Sequence, residues 1–239
     1  MTRLVTRFRI RTTALLLAAV FVLSGCVNES EPDLTREDSV LDFYMPRSTE
    51  TQYLYKYSGF FSGKRDSTYN VTYVGVDQSL KSVDSMSPIH RISVKATDRE
   101  VINDVEFFVT DTMIVEYGPN ASSASERFVV LHGKLKAGTG WKAAFNYEAT
   151  PEIRVSYLAR VIEYFPQMEV KGIVYKDVWQ VNYEVTGAPI DNNKLPQEYL
   201  NKARRVIYFA KGVGKILEIA YSPDNREQWK TELQGISRR

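Results

Sequence analysis

Trp179-Gln180-Val181-Asn182-Tyr183-Glu184-Val185 alternates apolar and polar side chains without a break. A period of two is what a strand needs when one face is buried and the other meets water. The same period recurs in both directions along the chain. Upstream, Trp141, Ala143, Phe145 and Tyr147 alternate with Lys142, Asn146 and Glu148, and Ile92, Val94 and Ala96 alternate with Arg91, Ser93 and Lys95. Tyr53, Tyr55 and Tyr57 share one face of an early strand, and Tyr69, Val71 and Tyr73 share a face of the next. Downstream, Leu217, Ile219 and Tyr221 are expected to face the interior with Glu218 turned outward, and Trp229, Thr231 and Leu233 alternate with Lys230, Glu232 and Gln234.

Turn formers separate these runs: Gly59 and Gly63, Ser87-Pro88, Gly118-Pro119-Asn120, Gly138-Thr139-Gly140, Pro166 and Gly187-Ala188-Pro189. Helical character is confined to Leu195 to Ala203, where Pro196 suits a first turn and Tyr199 and Ala203 lie four apart. The pattern predicts a mainly β domain, an antiparallel sheet forming a barrel, a half-barrel or a sandwich, with at most one short helix.

The N-terminus reads differently. Arg3, Arg7, Arg9 and Arg11 precede an apolar run from Ala14 to Leu23, followed by the small residues Ser24 and Gly25. That is the layout of a secretory signal peptide, and the run falls short of the roughly 20 apolar residues of a spanning helix. Leu23-Ser24-Gly25-Cys26 resembles the lipobox of bacterial lipoproteins. The resemblance implies cleavage before Cys26 and lipidation of that residue, with diacylglyceryl on sulfur and an acyl chain such as palmitate on nitrogen. Cys26 is the single cysteine of the chain, so an exported protein could form no internal disulfide with it. Two or more acyl chains hold a protein firmly where one holds it marginally. The expected organisation is a signal peptide over 1–25, a lipidated cysteine and flexible acidic tether over 26–42, and a single β-rich domain over 43–239.

Removal of the leader changes the charge balance. Four of the 31 basic residues leave with it, so 27 face 29 acidic ones, a balance of −2. The basic character of the whole chain belongs largely to the leader and gives no reason to expect nucleic-acid binding.

Three further stretches carry a resemblance. Phe43-Tyr44-Met45-Pro46 precedes the aromatic strand Tyr53-Leu54-Tyr55-Lys56-Tyr57-Ser58-Gly59; Gly172-Ile173-Val174-Tyr175-Lys176-Asp177-Val178 follows; and Tyr208-Phe209-Ala210-Lys211-Gly212-Val213-Gly214 comes last. Together they resemble an uncharacterised group of β-rich bacterial lipoproteins and secreted proteins, with Ser48 and Tyr53 departing from its usual glycine and tryptophan. The resemblance implies a β fold and an envelope location, and it carries no catalytic residues over.

Chemistry is sparse. There is no Gly-x-Ser-x-Gly elbow, and the two histidines, His90 and His132, stand apart with no second cysteine to form a zinc site. His90 reads as an edge or core histidine and His132 as a turn residue before Gly133. Gly212-Val213-Gly214-Lys215 fails the phosphate-loop pattern, because Phe209 stands at the first glycine position and Ile216 at the Ser/Thr position. Glu106, Glu116, Glu163 and Glu184 occupy positions expected to face solvent. The 15 Tyr, 11 Phe and 3 Trp are expected to fill the core, with Tyr53, Tyr55 and Tyr57 as the candidate platform for a hydrophobic ligand. No cofactor or metal is implied.

The sequence therefore points to a membrane-anchored envelope lipoprotein with a non-enzymatic structural or binding role. A lipid or hydrophobic-ligand carrier of half-barrel type is the first alternative, and a wall- or glycan-acting hydrolase the second. The partners expected are the membrane, through lipid on Cys26, and a hydrophobic ligand or an envelope protein. Val27 after the cysteine resembles the default outer-membrane pattern facing the periplasm, with the cell surface as the alternative.

Overall fold

The computed structural model describes residues 35–44, 51–61, 64–77, 89–96, 102–117, 127–147, 150–188 and 197–238. The expected signal peptide, Cys26 and the first part of the expected tether lie outside them. Among the described residues there are fourteen strands: β1 (Asp38–Ser39), β2 (Thr51–Phe61), β3 (Lys64–Asp77), β4 (Ile89–Ala96), β5 (Ile102–Val109), β6 (Met113–Tyr117), β7 (Arg127–His132), β8 (Lys134–Leu135), β9 (Gly140–Tyr147), β10 (Thr150–Val170), β11 (Ile173–Gly187), β12 (Arg204–Ala210), β13 (Gly214–Tyr221) and β14 (Glu227–Arg238). Twelve of them form one sheet in the order β7-β6-β5-β4-β3-β2-β14-β13-β12-β11-β10-β9, and β1 pairs with β8 in a small ribbon. All pairings are antiparallel. The mainly β antiparallel class read from the sequence is the observed one.

Because β14 returns to pair with β2, the chain's first and last long strands lie in the middle of the sheet. The two edges are then β7 and β9, which the short β8 segment joins in sequence. The sheet curls until these edges meet, and the seam between them is closed by side chains. The Trp141 indole from β9 donates to the Val129 carbonyl at 3.2 Å. The Tyr157 hydroxyl from β10 accepts from the Val129 amide at 2.7 Å and donates to the same carbonyl. Tyr183 from β11 donates to the Val130 carbonyl. At Val129 and Val130 the edge strand's backbone groups are thus met by aromatic side chains.

The largest core cluster lies under this seam. Trp179, Val181 and Tyr183 of β11 pack with Tyr157, Ala159 and Val161 of β10, Ile207 and Phe209 of β12, and Trp141 of β9. The inward faces of β9 and β11 are those predicted by their alternation. On β13 the face is the reverse of the expectation: Ile216, Glu218 and Ala220 are buried, while Leu217, Ile219 and Tyr221 are half-exposed. Burial of an acid is costly unless it is paired, and Glu218 is paired by cations on its own and the neighbouring strand.

Two boundaries also differ from expectation. Residues 36–42, read as the end of a solvated tether, are packed into the domain. A 3-10 turn over Val40–Phe43, capped by the Ser39 hydroxyl, buries Val40 and Phe43 in the main core. Two apolar anchors override the acidic composition around them. Of the stretch Leu195–Ala203, which reads as a short helix or equally as a loop, residues 195–196 lie outside the described ones and the remainder holds a 3-10 turn at Gln197–Tyr199.

Candidate functional site

Two polar constellations stand out, and each is built by a local irregularity. The first lies in the interior. Around Tyr208 and Phe209 the β12–β13 register slips, so that Tyr208 opposes Leu217 and Phe209 opposes Lys215, leaving Ile216 as the extra residue of a bulge. In a regular strand Lys215 and Glu218, three apart, would point to opposite faces. The bulge turns both to the inside. Lys215 Nζ then lies 2.6 Å from one oxygen of Glu218, and Arg205 donates to the other from Nε at 2.8 Å and also from Nη2. The Arg205 guanidinium also lies over the Phe128 ring, 4.9 Å from its centroid.

Across the interior, Glu116 of β6 reaches the same space. Glu116, Arg205, Lys215 and Glu218 line one cavity of about 70 Å³ whose remaining walls include Phe43, Tyr44, Phe107, Phe128 and Phe209. The two carboxyl groups are driven in opposite directions. Burial would raise Glu218, but Arg205 and Lys215 outweigh it and bring it down to about 2. Glu116 is raised above the ordinary carboxylate range because burial dominates there, with Lys215 and Arg205 only partly offsetting it. Glu116 was among the acids expected to face solvent; it shares the inward face of β6 with Ile114, and Arg205 and Lys215, which line the same cavity, come from strands far along the chain.

The second constellation fixes the N-terminal segment. Asp38, buried, accepts from the Trp179 indole at 2.9 Å and from Arg36 Nε at 2.7 Å. Arg36 also bonds the Tyr164 hydroxyl and Asp177, and its guanidinium lies 4.0 Å above the Tyr164 ring. Lys211 reaches Asp42 at 3.1 Å and Asp38 at 3.5 Å. Two backbone bonds complete the seat: Gly212 donates to Asp42 at 2.6 Å and Lys211 to Asp177 at 3.1 Å. Gly212 has φ +71°, a conformation that glycine adopts at no steric cost. Burial alone would raise Asp38, yet its bonds from Arg36 and Trp179 hold it below the ordinary carboxylate range.

Two of the stretches that carried the resemblance thus meet at one contact. Asp177, Lys211 and Gly212 form the seat, and the chain just before Phe43-Tyr44 occupies it. Gly212 and Gly214 both have positive φ, 71° and 93°, which a glycine strand-turn allows.

The candidate platform is elsewhere. Tyr53 and Tyr55 are buried in a second core cluster with Val170, Tyr175, Val178, Ile216 and Leu233. Tyr55 donates to the Lys215 carbonyl at 2.7 Å, and Tyr57 stacks on Trp229 at 5.7 Å. None of the three lines the cavity. His132 ends β7 beside Trp141, and Gly133 turns the chain with φ +73°. The side chains of His90 and Glu106, and Cys26 as a whole, lie outside the described residues. Among the described residues no group of three or more His, Cys, Asp or Glu is placed to hold a metal ion.

No protein-family model matches the chain, and no curated protein matches it. Solved structures do share its fold. A Parabacteroides distasonis protein assigned as a lipoprotein superposes with a TM-score of 0.53 at 12% identity, over 82% of this chain and 99% of that one. A Bacteroides fragilis protein assigned as exported, with a YmcC-like fold, gives a TM-score of 0.51 at 9% identity, over 82% and 100%. At these identities the likeness is one of fold.

Proposed function

We propose that this chain is an exported lipoprotein, anchored through lipid on Cys26, whose β domain has a non-enzymatic structural or binding role in the cell envelope. The observation that carries the reading is the seat for residues 36–44. The domain grips its own N-terminal segment, which begins ten residues after the lipobox cysteine, through a buried aspartate and a buried phenylalanine. A tether drawn taut by an anchor needs such a grip where it meets the fold. The assignments of the two fold neighbours as lipoprotein and exported protein support the same location. Val27 after the cysteine favours an outer membrane, with the domain in the periplasm.

The cavity weighs against the two alternatives. A carrier of acyl chains needs a pocket of roughly 300–1,000 Å³, and the charge-lined cavity offers about 70 Å³. A hydrolase needs two available carboxyl groups. Glu116 and Glu218 do share the cavity with their protonation pushed apart, but Glu218 commits both oxygens to Arg205 and Lys215, and a sugar ring has no room between them.

Replacing Cys26 by Ser tests the anchor. The variant is expected to lose labelled-palmitate incorporation and to move from the membrane to the soluble fraction. Full membrane retention of that variant overturns the reading.

A further inference from the structure

The β10–β11 hairpin runs past its neighbours. β9 pairs with β10 no further than Arg160, and β12 pairs with β11 only from Val178 to Glu184. The stretch 162–177 is therefore a two-stranded arm, closed by Val170 opposite Ile173 across the turn Lys171-Gly172. Both turn residues have positive φ, 53° and 80°, as a two-residue hairpin turn requires.

The arm is fixed in place. Val170 and Tyr175 pack into the cluster of Tyr53, Tyr55 and Leu233, and Lys171 pairs with Glu232 at 3.3 Å. Its apex nevertheless presents two successive aliphatic residues to solvent, Ile173 at 37% and Val174 at 56% exposure. Exposed Lys171 and Lys176 flank them, with Glu169 the nearby exposed acid.

The position of the tether selects the partner. Arg36 bonds Asp177 and Tyr164 at the base of this arm. Asp177 is three residues from Val174, about 10 Å at strand rise. Cys26 lies ten residue steps before Arg36, a span of at most about 35 Å. Lipid on Cys26 therefore brings a bilayer surface within reach of the apex. Aliphatic side chains on a rigid turn, with lysines able to snorkel toward headgroups, suit the bilayer interface. We infer that the Ile173–Val174 apex dips into the same membrane that holds Cys26, as a second contact that sets the domain's orientation. This rests on the anchor proposed above.

Lipidation consumes the chain's single thiol, which permits a clean test. Val174→Cys in the full lipidated protein is labelled with an environment-sensitive fluorophore and bound to phosphatidylethanolamine–phosphatidylglycerol vesicles; Asn201→Cys, exposed at the opposite end of β11, is the reference. The inference expects a blue shift and quenching by headgroup-level lipid quenchers at 174 and neither at 201. In the Cys26→Ser chain, residual vesicle binding is expected to fall about tenfold on adding Ile173→Asp and Val174→Asp. A protein that floats with the vesicles while its 174 label stays as wet as the 201 label overturns the membrane contact and leaves the anchor standing. A chain that fails to float overturns both.

Discussion

The N-terminal seat and the interior cluster are both polar networks on the same sheet, yet they are built on opposite terms. In the seat, Asp38 receives donors from an arginine, an indole and a lysine, drawn from three parts of the chain. In the cluster, Glu218 is comparably saturated, but among the described residues Glu116 shares its cavity without a hydrogen bond or ion pair. A fully satisfied buried network fixes one geometry, whereas an incompletely satisfied one carries a standing cost. The difference separates a joint that must hold from an interior with slack in its charge balance.

The sharpest way to break the contrast is Arg205→Met. Removing one partner of a buried ion pair costs about 3–5 kcal/mol, to be read from the urea midpoint. A loss under about 1 kcal/mol would show that the cluster is not a paired unit. Asp38→Ala leaves the Trp179 indole without its acceptor and takes one acceptor from Arg36, and is expected to cost about 1–3 kcal/mol. It should also expose residues 36–44 to limited proteolysis at a concentration of protease that Arg205→Met resists. Equal cleavage of the two variants would mean that the seat and the cluster are one cooperative element.

Acid sharpens the comparison further. Glu218 lies lower in the folded chain than the ordinary 4.5, at about 2, so its contribution is complete above about pH 4.5 and is lost as pH falls toward 2. Glu116 has the opposite sign. Its folded value is raised, so it supports folding below the ordinary value and withdraws that support as pH climbs through the raised one. Thermal melts of Glu218→Gln against pH should lack the acid-side decline that this residue contributes. Glu116→Gln is the mildest change, raising stability at pH 7 by less than about 1 kcal/mol. A large destabilisation there would show that Glu116 is ionised and paired.

Much of the fold was legible because β9 and β11 follow a simple rule: Trp141, Trp179, Val181 and Tyr183 face inward and their polar neighbours do not. The rule failed on β13, where Glu218 was read as solvent-facing. Hydropathy reports the average preference of a side chain, whereas its facing depends on register and on partners elsewhere in the chain. The bulge at Ile216 carries no sequence mark, and Arg205 can neutralise Glu218 only once β12 and β13 have paired. The reading of residues 36–42 failed similarly: acidic composition hid Val40 and Asp38, whose partner Trp179 lies 141 positions away. The resemblance located Asp177 and Lys211-Gly212 without saying what they held.

The seam at Val129 has one further consequence. An open sheet edge is a template on which a strand from another copy can pair. Here the edge strand presents its amide and carbonyl to Tyr157 and Trp141 from within its own sheet. An incoming strand from a neighbour would have to displace aromatic residues embedded in the core before forming its first bond. At Val129 this edge is therefore closed to strand addition by its own sheet.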